Sequence, residues 1–212
     1  MRRCLNILEE HFGKDHPNTA TSLNNLGLLL QSTGRSAEAE PLIRRGVKIV
    51  EQGYGKDHPT VAIHLHRLVG VLLENHRFAE AEPLVLRSLD IIENSFGKGH
   101  PEFATCLNDL TRLLKATSRV NEAEPHVRRS LEIVENAFGK DHPAVAVSLN
   151  NLAQLLEATN RGAEAEPLFR RALTILQNSL GPGSKPIGGL VQEGEIRGRA
   201  PPASIFGNPR SV

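Results

Sequence analysis

A chain of 212 residues, of which 39% are hydrophobic and 23% charged, has the composition of a folded protein rather than that of a disordered or membrane-spanning one. Its formal net charge of +1 provides no strong field, which argues against polyanionic partners such as nucleic acids or anionic membranes. Aromatic residues make up only 4% of the chain, so the core must be built from Leu, Ile, Val and Ala, which favours packed helices.

Cysteine content and the N-terminal sequence bear on the compartment. The two cysteines, Cys4 and Cys106, show no CxxC spacing, which excludes disulfide-rich and zinc-finger classes and fits a reducing compartment. Acidic residues interrupt the short apolar stretch within residues 1–10, unlike in a signal peptide. No run approaches the roughly 18 apolar residues of a membrane helix. We therefore expect a cytoplasmic protein.

The dipeptide His-Pro recurs with a period of 42 residues. It begins at His16, His58, His100 and His142, and the tripeptide Ala-Glu-Pro keeps the same period from Ala39, Ala81, Ala123 and Ala165. Two different motifs that recur with the same period indicate a repeat architecture. Residues 1–13 align with the end of a complete unit, so we interpret them as the C-terminal part of a truncated preceding repeat. Four repeats then follow over residues 14–181.

Each repeat contains two predicted helices, A and B. In the first repeat Pro17 suits the start of helix A, because its missing N–H needs no partner there, and Asp15 and His16 are placed to cap the helix. A break near Gly34 ends helix A, and Ser36 is placed to cap helix B, for which Pro41 predicts a late start or a bend. The predicted inner faces carry Leu23, Leu26 and Leu30 in helix A and Ala39, Ile43, Gly46 and Ile49 in helix B. Small residues recur where the two helices should approach most closely, at Gly46, Ser88, Ser130 and Ala172.

The pattern fails after Gly181. Residues 182–212 contain six glycines and five prolines and no fifth helix A, so we predict a flexible Gly/Pro-rich tail. Two other interpretations stay open. One is an arm that contacts a partner through Arg197, Arg199 and Arg210, and the other is a segment that folds back over the last helix pair through Ile187, Leu190 and Val191.

The repeated residues resemble a known family. The spacing of leucines and small residues is similar to that of tetratricopeptide repeats, and the 42-residue unit, with Leu-Asn-Asn-Leu at 23–26 and 149–152 and Ala-Glu-Pro-Leu at 39–42 and 165–168, resembles kinesin light chains and their bacterial relatives. The resemblance covers about residues 1–181. It implies an all-α, right-handed solenoid of antiparallel helix pairs, whose concave side is lined by the A helices and receives peptides. The chain shows no coiled-coil heptads, so a motor-adaptor role is not implied.

Polar residues in the middle of the A helices are the predicted peptide-binding groove. Asparagine is a poor helix former, and its amide both donates and accepts hydrogen bonds, as a peptide backbone requires. The predicted groove residues are Asn24, Asn25, His66, Arg67, Asn108, Asp109, Arg112, Lys115, Asn150, Asn151 and Gln154. In an alternative interpretation the asparagines bond across adjacent A helices and fix their spacing.

No residue pattern indicates catalysis, a metal or a cofactor. The capping histidines recur once per repeat, and helices roughly 8–10 Å apart cannot bring them to one ion. No nucleotide-binding loop or nucleophile elbow occurs. We therefore predict a non-enzymatic scaffold for protein–protein interaction that binds an extended peptide or partner segment. The alternative is a structural spacer or self-associating module of a larger signalling protein, with end-to-end association.

Overall fold

The structure, a computed structural model, describes Ile7 and residues 9–180. The predicted tail lies outside the described residues. Of the predicted preceding repeat, Ile7 and residues 9–12 are described and are helical.

Eight helices form four consecutive pairs. The A helices are α1 (Pro17–Ser32), α3 (Pro59–Glu74), α5 (Pro101–Ala116) and α7 (Pro143–Ala158), and the B helices are α2 (Ser36–Tyr54), α4 (Phe78–Phe96), α6 (Val120–Phe138) and α8 (Gly162–Leu180). All A helices have 16 residues and all B helices 19, and no strand occurs in the part of the chain that the structure describes. The predicted all-α solenoid of helix pairs is confirmed.

Packing alternates along the chain. Each A helix packs against the B helix of its own repeat, and each B helix packs against the next A helix. Contacts also join neighbouring A helices, α1 with α3 and α3 with α5. The A helices therefore form the inner layer, as the resemblance to tetratricopeptide repeats implies. The core between the layers is made of the predicted leucines and small residues, such as Leu23, Ala39 and Ile43, each fully buried.

The connection from helix B to the next helix A is built locally. Gly55 ends α2 with a φ of 92°, a backbone conformation that favours glycine. Nδ1 of His58 accepts a hydrogen bond from the backbone N–H of Thr60 at 3.2 Å, and Pro59 opens α3. The Tyr54 ring stacks on His58 with centroids 4.8 Å apart. The aromatic residue thus packs on the capping histidine as well as marking the end of helix B.

The late start expected from Pro41 is wrong. Helix α2 begins at Ser36, so Arg35 takes the capping position predicted for Ser36, and the helix continues through Pro41, as the other B helices do through their prolines. Pro41 is the sixth residue of α2, so its missing N–H leaves the carbonyl of Ala37 without its usual i+4 donor, and the helix continues on either side of this one lost hydrogen bond. Helix B therefore keeps its full length.

Arginines at the start of the B helices fasten successive repeats. Arg77 Nη1 donates to Glu40 in the preceding repeat at 2.7 Å, while Nε and Nη2 bind Glu80 within α4 at 2.6 Å. Arg119 and Arg161 repeat this arrangement with the equivalent glutamates. Within α2, Arg44 also forms an i,i+4 ion pair with Glu40. The ion pairs link neighbouring repeats on the outside of the stack.

Candidate ligand-binding groove

Residues on the exposed side of the A helices form a stripe across the inner layer. In α3 these are the exposed Ile63 and Glu74 and the half-buried Arg67, which share one face because separations of four and eleven residues are close to whole helical turns, whereas Gly70 on the same face is buried. The equivalent positions in the other A helices, at intervals of 42 residues, carry the same surface across all four repeats. We call this surface the groove.

The groove contains a cavity of about 420 Å³ near the C-terminal ends of α3 and α5. It is lined by Leu73 and Glu74 of α3 and by Arg112, Lys115 and Ala116 of α5. Glu74 is already engaged, because it accepts hydrogen bonds from Gln31 at 2.6 Å and from Ser36 at 2.8 Å. The two cations therefore dominate the chemistry that this cavity offers to a ligand.

Arg112 and Lys115 are only weakly engaged by the protein. The Arg112 guanidinium lies 3.4 Å from Asp109, and its side chain is 49% exposed. Lys115 Nζ donates to Gln154 Oε1 at 3.4 Å, near the limit of a hydrogen bond. Burial lowers the pKa of the Lys115 ammonium, which reflects its partial loss of hydration. A carboxylate placed here would gain two partners at once.

A polar contact joins the second and third repeats across the groove floor. Nδ1 of His66 lies 2.5 Å from Oδ2 of Asp109, which is almost fully buried, and Arg112 approaches the other carboxylate oxygen. The structure thus brings three predicted groove residues together. His66 and Asp109 bind each other, so Arg112 is the member of this group that is most accessible.

Asn108, at the first of the two asparagine positions of helix A, directs its amide oxygen toward helix B of the same repeat. In the third repeat the Ser130 hydroxyl lies 3.0 Å from Oδ1 of Asn108 and 3.2 Å from the carbonyl of Ala104. The equivalent oxygens of Asn24 and Asn150 are buried without a partner in the described structure. No hydrogen bond between asparagines of adjacent A helices is found among residues 9–180, so the structure gives the alternative interpretation no support.

The predicted groove residues differ in their exposure to solvent. Asn25 and Arg112 are exposed, and Asn24 and Asp109 are buried. The half-buried members are His66, Arg67, Asn108, Lys115, Asn150, Asn151 and Gln154. The two exposed residues therefore lie at the second asparagine position in the first repeat, Asn25, and one turn beyond that position in the third repeat, Arg112.

Sequence reasoning missed two apolar groove residues. Ile63 is 44% exposed and Val147 42% exposed, one turn before Arg67 and Asn151 on the same face. The predicted groove consists of polar residues alone and therefore omits both. Helical spacing alone would have found them, because a large aliphatic side chain four residues before a groove position lies on the groove face.

Comparisons with known proteins agree with this architecture. Family models described as tetratricopeptide repeat match residues 19–60, 60–133 and 112–178. The chain belongs to the tetratricopeptide repeat family. Proteins built from tetratricopeptide repeats are generally scaffolds for protein–protein interaction rather than enzymes. A comparison with curated protein sequences finds no match.

Solved structures with tetratricopeptide repeats share the fold. A variant of a candidate kinesin light chain from Podosopora anserina, with nearly identical repeats, is 22% identical, with a TM-score of 0.66 over 84% of each chain. BtubC (BKLC) from P. vanneervenii is 21% identical, with a TM-score of 0.69 over 87% of this chain and 74% of that one. The prediction of tetratricopeptide repeats of the kinesin light chain-like type is confirmed at the level of the fold.

Two further observations concern only the residues that the structure describes. None of their helices has the length and apolar content needed to cross a membrane. Nor do these residues form a group of three or more side chains suited to holding a metal ion.

Proposed function

We propose that this chain is a non-enzymatic, cytoplasmic scaffold that binds an extended segment of a partner protein in the groove of its A helices. The cavity between α3 and α5 carries the proposal. It offers two poorly satisfied cations, Arg112 and Lys115, beside the apolar Leu73. Such a combination of a concave shape, an apolar wall and a few convergent polar groups is typical of ligand sites.

The dimensions of the groove suit an extended chain. Packed helices lie about 10 Å apart, and an extended peptide advances about 3.3 Å per residue, so each repeat accommodates about three ligand residues. Four repeats would hold a segment of roughly ten residues. Asn25 and Asn151 have exposed or half-buried amides that are suited to the backbone of such a segment.

The charge of the cavity favours an acidic side chain in the middle of the ligand. A hydrogen bond to a charged group contributes about 1.5–3 kcal/mol, more than one between neutral groups. Replacing Arg112 by Glu would remove one such bond and add a repulsion. We therefore expect Arg112→Glu to weaken binding by well over tenfold, at about 1.4 kcal/mol for each tenfold.

The test uses a displayed library of random twelve-residue peptides selected on the full chain. A selected peptide is synthesised, and its affinity is measured by fluorescence anisotropy for the parent protein and for Arg112→Glu. The matched control is Arg128→Glu on α6, because the Arg128 side chain is also 49% exposed but lies on a B helix. Equal weakening by the two variants, or selection of no peptide at all, would contradict the proposed function.

The competing function, end-to-end self-association, has one observation in its favour. Leu173 on α8 is 40% exposed, whereas its counterpart in the first repeat, Val47, is only 8% exposed. Sedimentation velocity over a hundredfold range of protein concentration tests this proposal. Concentration-dependent association that Leu173→Glu abolishes would support a self-associating module, and a constant sedimentation coefficient would contradict it.

A further inference from the structure

Two exposed aliphatic side chains occupy the same groove position in alternate repeats. Ile63 and Val147 occupy the same position of helix A in the second and fourth repeats, and both are more than two-fifths exposed. The first and third repeats carry Thr21 and Thr105 there, which have a hydroxyl and a smaller apolar surface. The large apolar contacts therefore alternate, with one repeat between them.

The two kinds of contact lie on opposite rims of the groove. Ile63 and Val147 are near the N-terminal ends of α3 and α7, a position that Thr105 occupies in α5. Arg112 and Lys115 follow Thr105 by seven and ten residues, which is about 10 and 15 Å at 1.5 Å per residue. A ligand that runs across the A helices would have the aliphatic contacts on one side and the two cations on the other.

An extended chain matches this arrangement because its side chains alternate between its two sides. Successive side chains of a strand point to opposite sides, and residues an even number apart share a side. Neighbouring repeats, about 10 Å apart, separate ligand residues by three, an odd number, and alternate repeats separate them by six, an even number. Residues six apart can thus reach Ile63 and Val147, while the residue midway faces Arg112 and Lys115 in the third repeat.

We infer that the groove selects a seven-residue extended segment with aliphatic residues at its first and seventh positions and Asp or Glu at its fourth. This inference rests on the proposed function and adds the ligand pattern. Because the pattern is symmetric about its centre, it fits the groove in either chain direction. Recognition uses the central carboxylate for charge and the two aliphatic residues for register.

The selected peptides described above give the first test. We expect aliphatic residues six apart, with an acidic residue midway, to be enriched among them. In a synthesised peptide of this pattern, shortening the separation from six to five would turn one aliphatic residue to the wrong rim. Binding should weaken about three- to tenfold, as expected for a partly buried aliphatic side chain.

Variants of the protein give the second test. Ile63→Ser and Val147→Ser should each weaken binding of the pattern peptide about three- to tenfold and remove the effect of spacing. Leu86→Ser is the matched control, because Leu86 is 48% exposed on α4, a B helix, and should leave the affinity unchanged. Circular dichroism checks that all three variants keep their helices.

The outcomes separate this inference from the proposed function. Peptides that lack the spacing but lose affinity with Arg112→Glu would overturn the inference and leave the groove as the binding site. Peptides unaffected by Arg112→Glu, Ile63→Ser and Val147→Ser would overturn both. Equal weakening by Leu86→Ser and Ile63→Ser would also overturn the assignment of Ile63 to the ligand contact.

Discussion

The interiors of the first and third repeats differ in the polar contact between helices A and B. In the third repeat the Ser130 hydroxyl contacts Oδ1 of Asn108 at 3.0 Å, between helices A and B. In the first repeat Gly46 takes the place of the serine, and the oxygen of Asn24 is buried without a partner within the described structure. A Cβ on Gly46 would come within 3.5 Å of that oxygen. The two helix pairs nevertheless have the same lengths.

This difference shows which interactions define the repeat. A buried polar atom without a partner costs about 1–3 kcal/mol, yet the helix pair forms with and without the serine hydroxyl. Leu23 and Leu107, its equivalent, are buried in both repeats. The spacing of the apolar residues therefore sets the architecture, whereas the polar contact adjusts the stability of a single repeat.

The largest expected effect tests what the two repeats share. Leu23→Ala and Leu107→Ala should each lower the free energy of unfolding by about 2–5 kcal/mol, because each removes a buried leucine and leaves a cavity. Urea denaturation followed by circular dichroism measures this, with Arg170→Ala, whose side chain is 78% exposed, as the control. A large loss for one leucine and almost none for the other would show that the two cores are not equivalent.

The second prediction concerns the histidine beside Gly46. Burial, together with the charge of Arg67, lowers the pKa of His64 to about 4. As the pH falls, the unfolded chain, whose histidine pKa is about 6.5, takes up this proton before the folded chain does. The contribution of neutral His64 to the free energy of unfolding is therefore complete above pH 6.5 and is lost as the pH falls toward 4. The loss should reach at most about 3–4 kcal/mol, at about 1.36 kcal/mol per unit of pKa difference.

Comparison with a variant isolates this effect from those of the other histidines. His64→Leu cannot take up a proton, so its free energy of unfolding should fall less steeply than that of the parent between pH 6.5 and pH 4. Urea denaturation at several pH values measures both slopes. Parallel curves would mean that His64 is hydrated in the folded protein.

A reciprocal exchange tests the polar difference directly. Gly46→Ser should raise the free energy of unfolding by about 1 kcal/mol, because serine is a better helix former than glycine and its hydroxyl can reach Asn24. The new Cβ would lie 3.2 Å from Nδ1 of His64, so that ring must shift slightly. Ser130→Gly should lower the free energy of unfolding by about 1–2 kcal/mol. Thermal melts measure both, and a loss of stability in both variants would show that the His64 ring cannot move.

The smallest expected effect lies in the turn between helices A and B. Gly34 has a φ of 73°, and its equivalent Ser118 has a φ of 61°, in the left-handed region where a side chain is strained. Ser118→Gly should therefore stabilise the protein by about 0.5–1 kcal/mol, after the larger entropy of glycine in the unfolded chain is counted. Gly34→Ser should destabilise it by a similar amount. Thermal melts measure both variants, and changes of the same sign would contradict the argument.

The sequence alone determined the helices and their order. Pro17 and the capping histidine mark the start of helix A, and the leucine spacing marks its buried side, because these signals act within a few residues of one another. The 42-residue period then predicts that each helix pair packs in the same way. The same signals predict that the groove lies on the A helices, and both the groove and its individual residues remain a proposal.

Only the tertiary structure decided which side chains meet across repeats. His66 contacts Asp109, and Arg77 binds Glu40, although 43 and 37 residues separate the partners. The rotation and rise between stacked repeats set these contacts, and the period of a sequence contains neither quantity. The packing of helices A and B within a repeat determines that Asn108 turns its oxygen toward Ser130, and the placement of the repeats leaves Ile63 exposed in the groove. Local spacing specifies the elements, whereas the relative placement of repeats specifies the surface that a partner would meet.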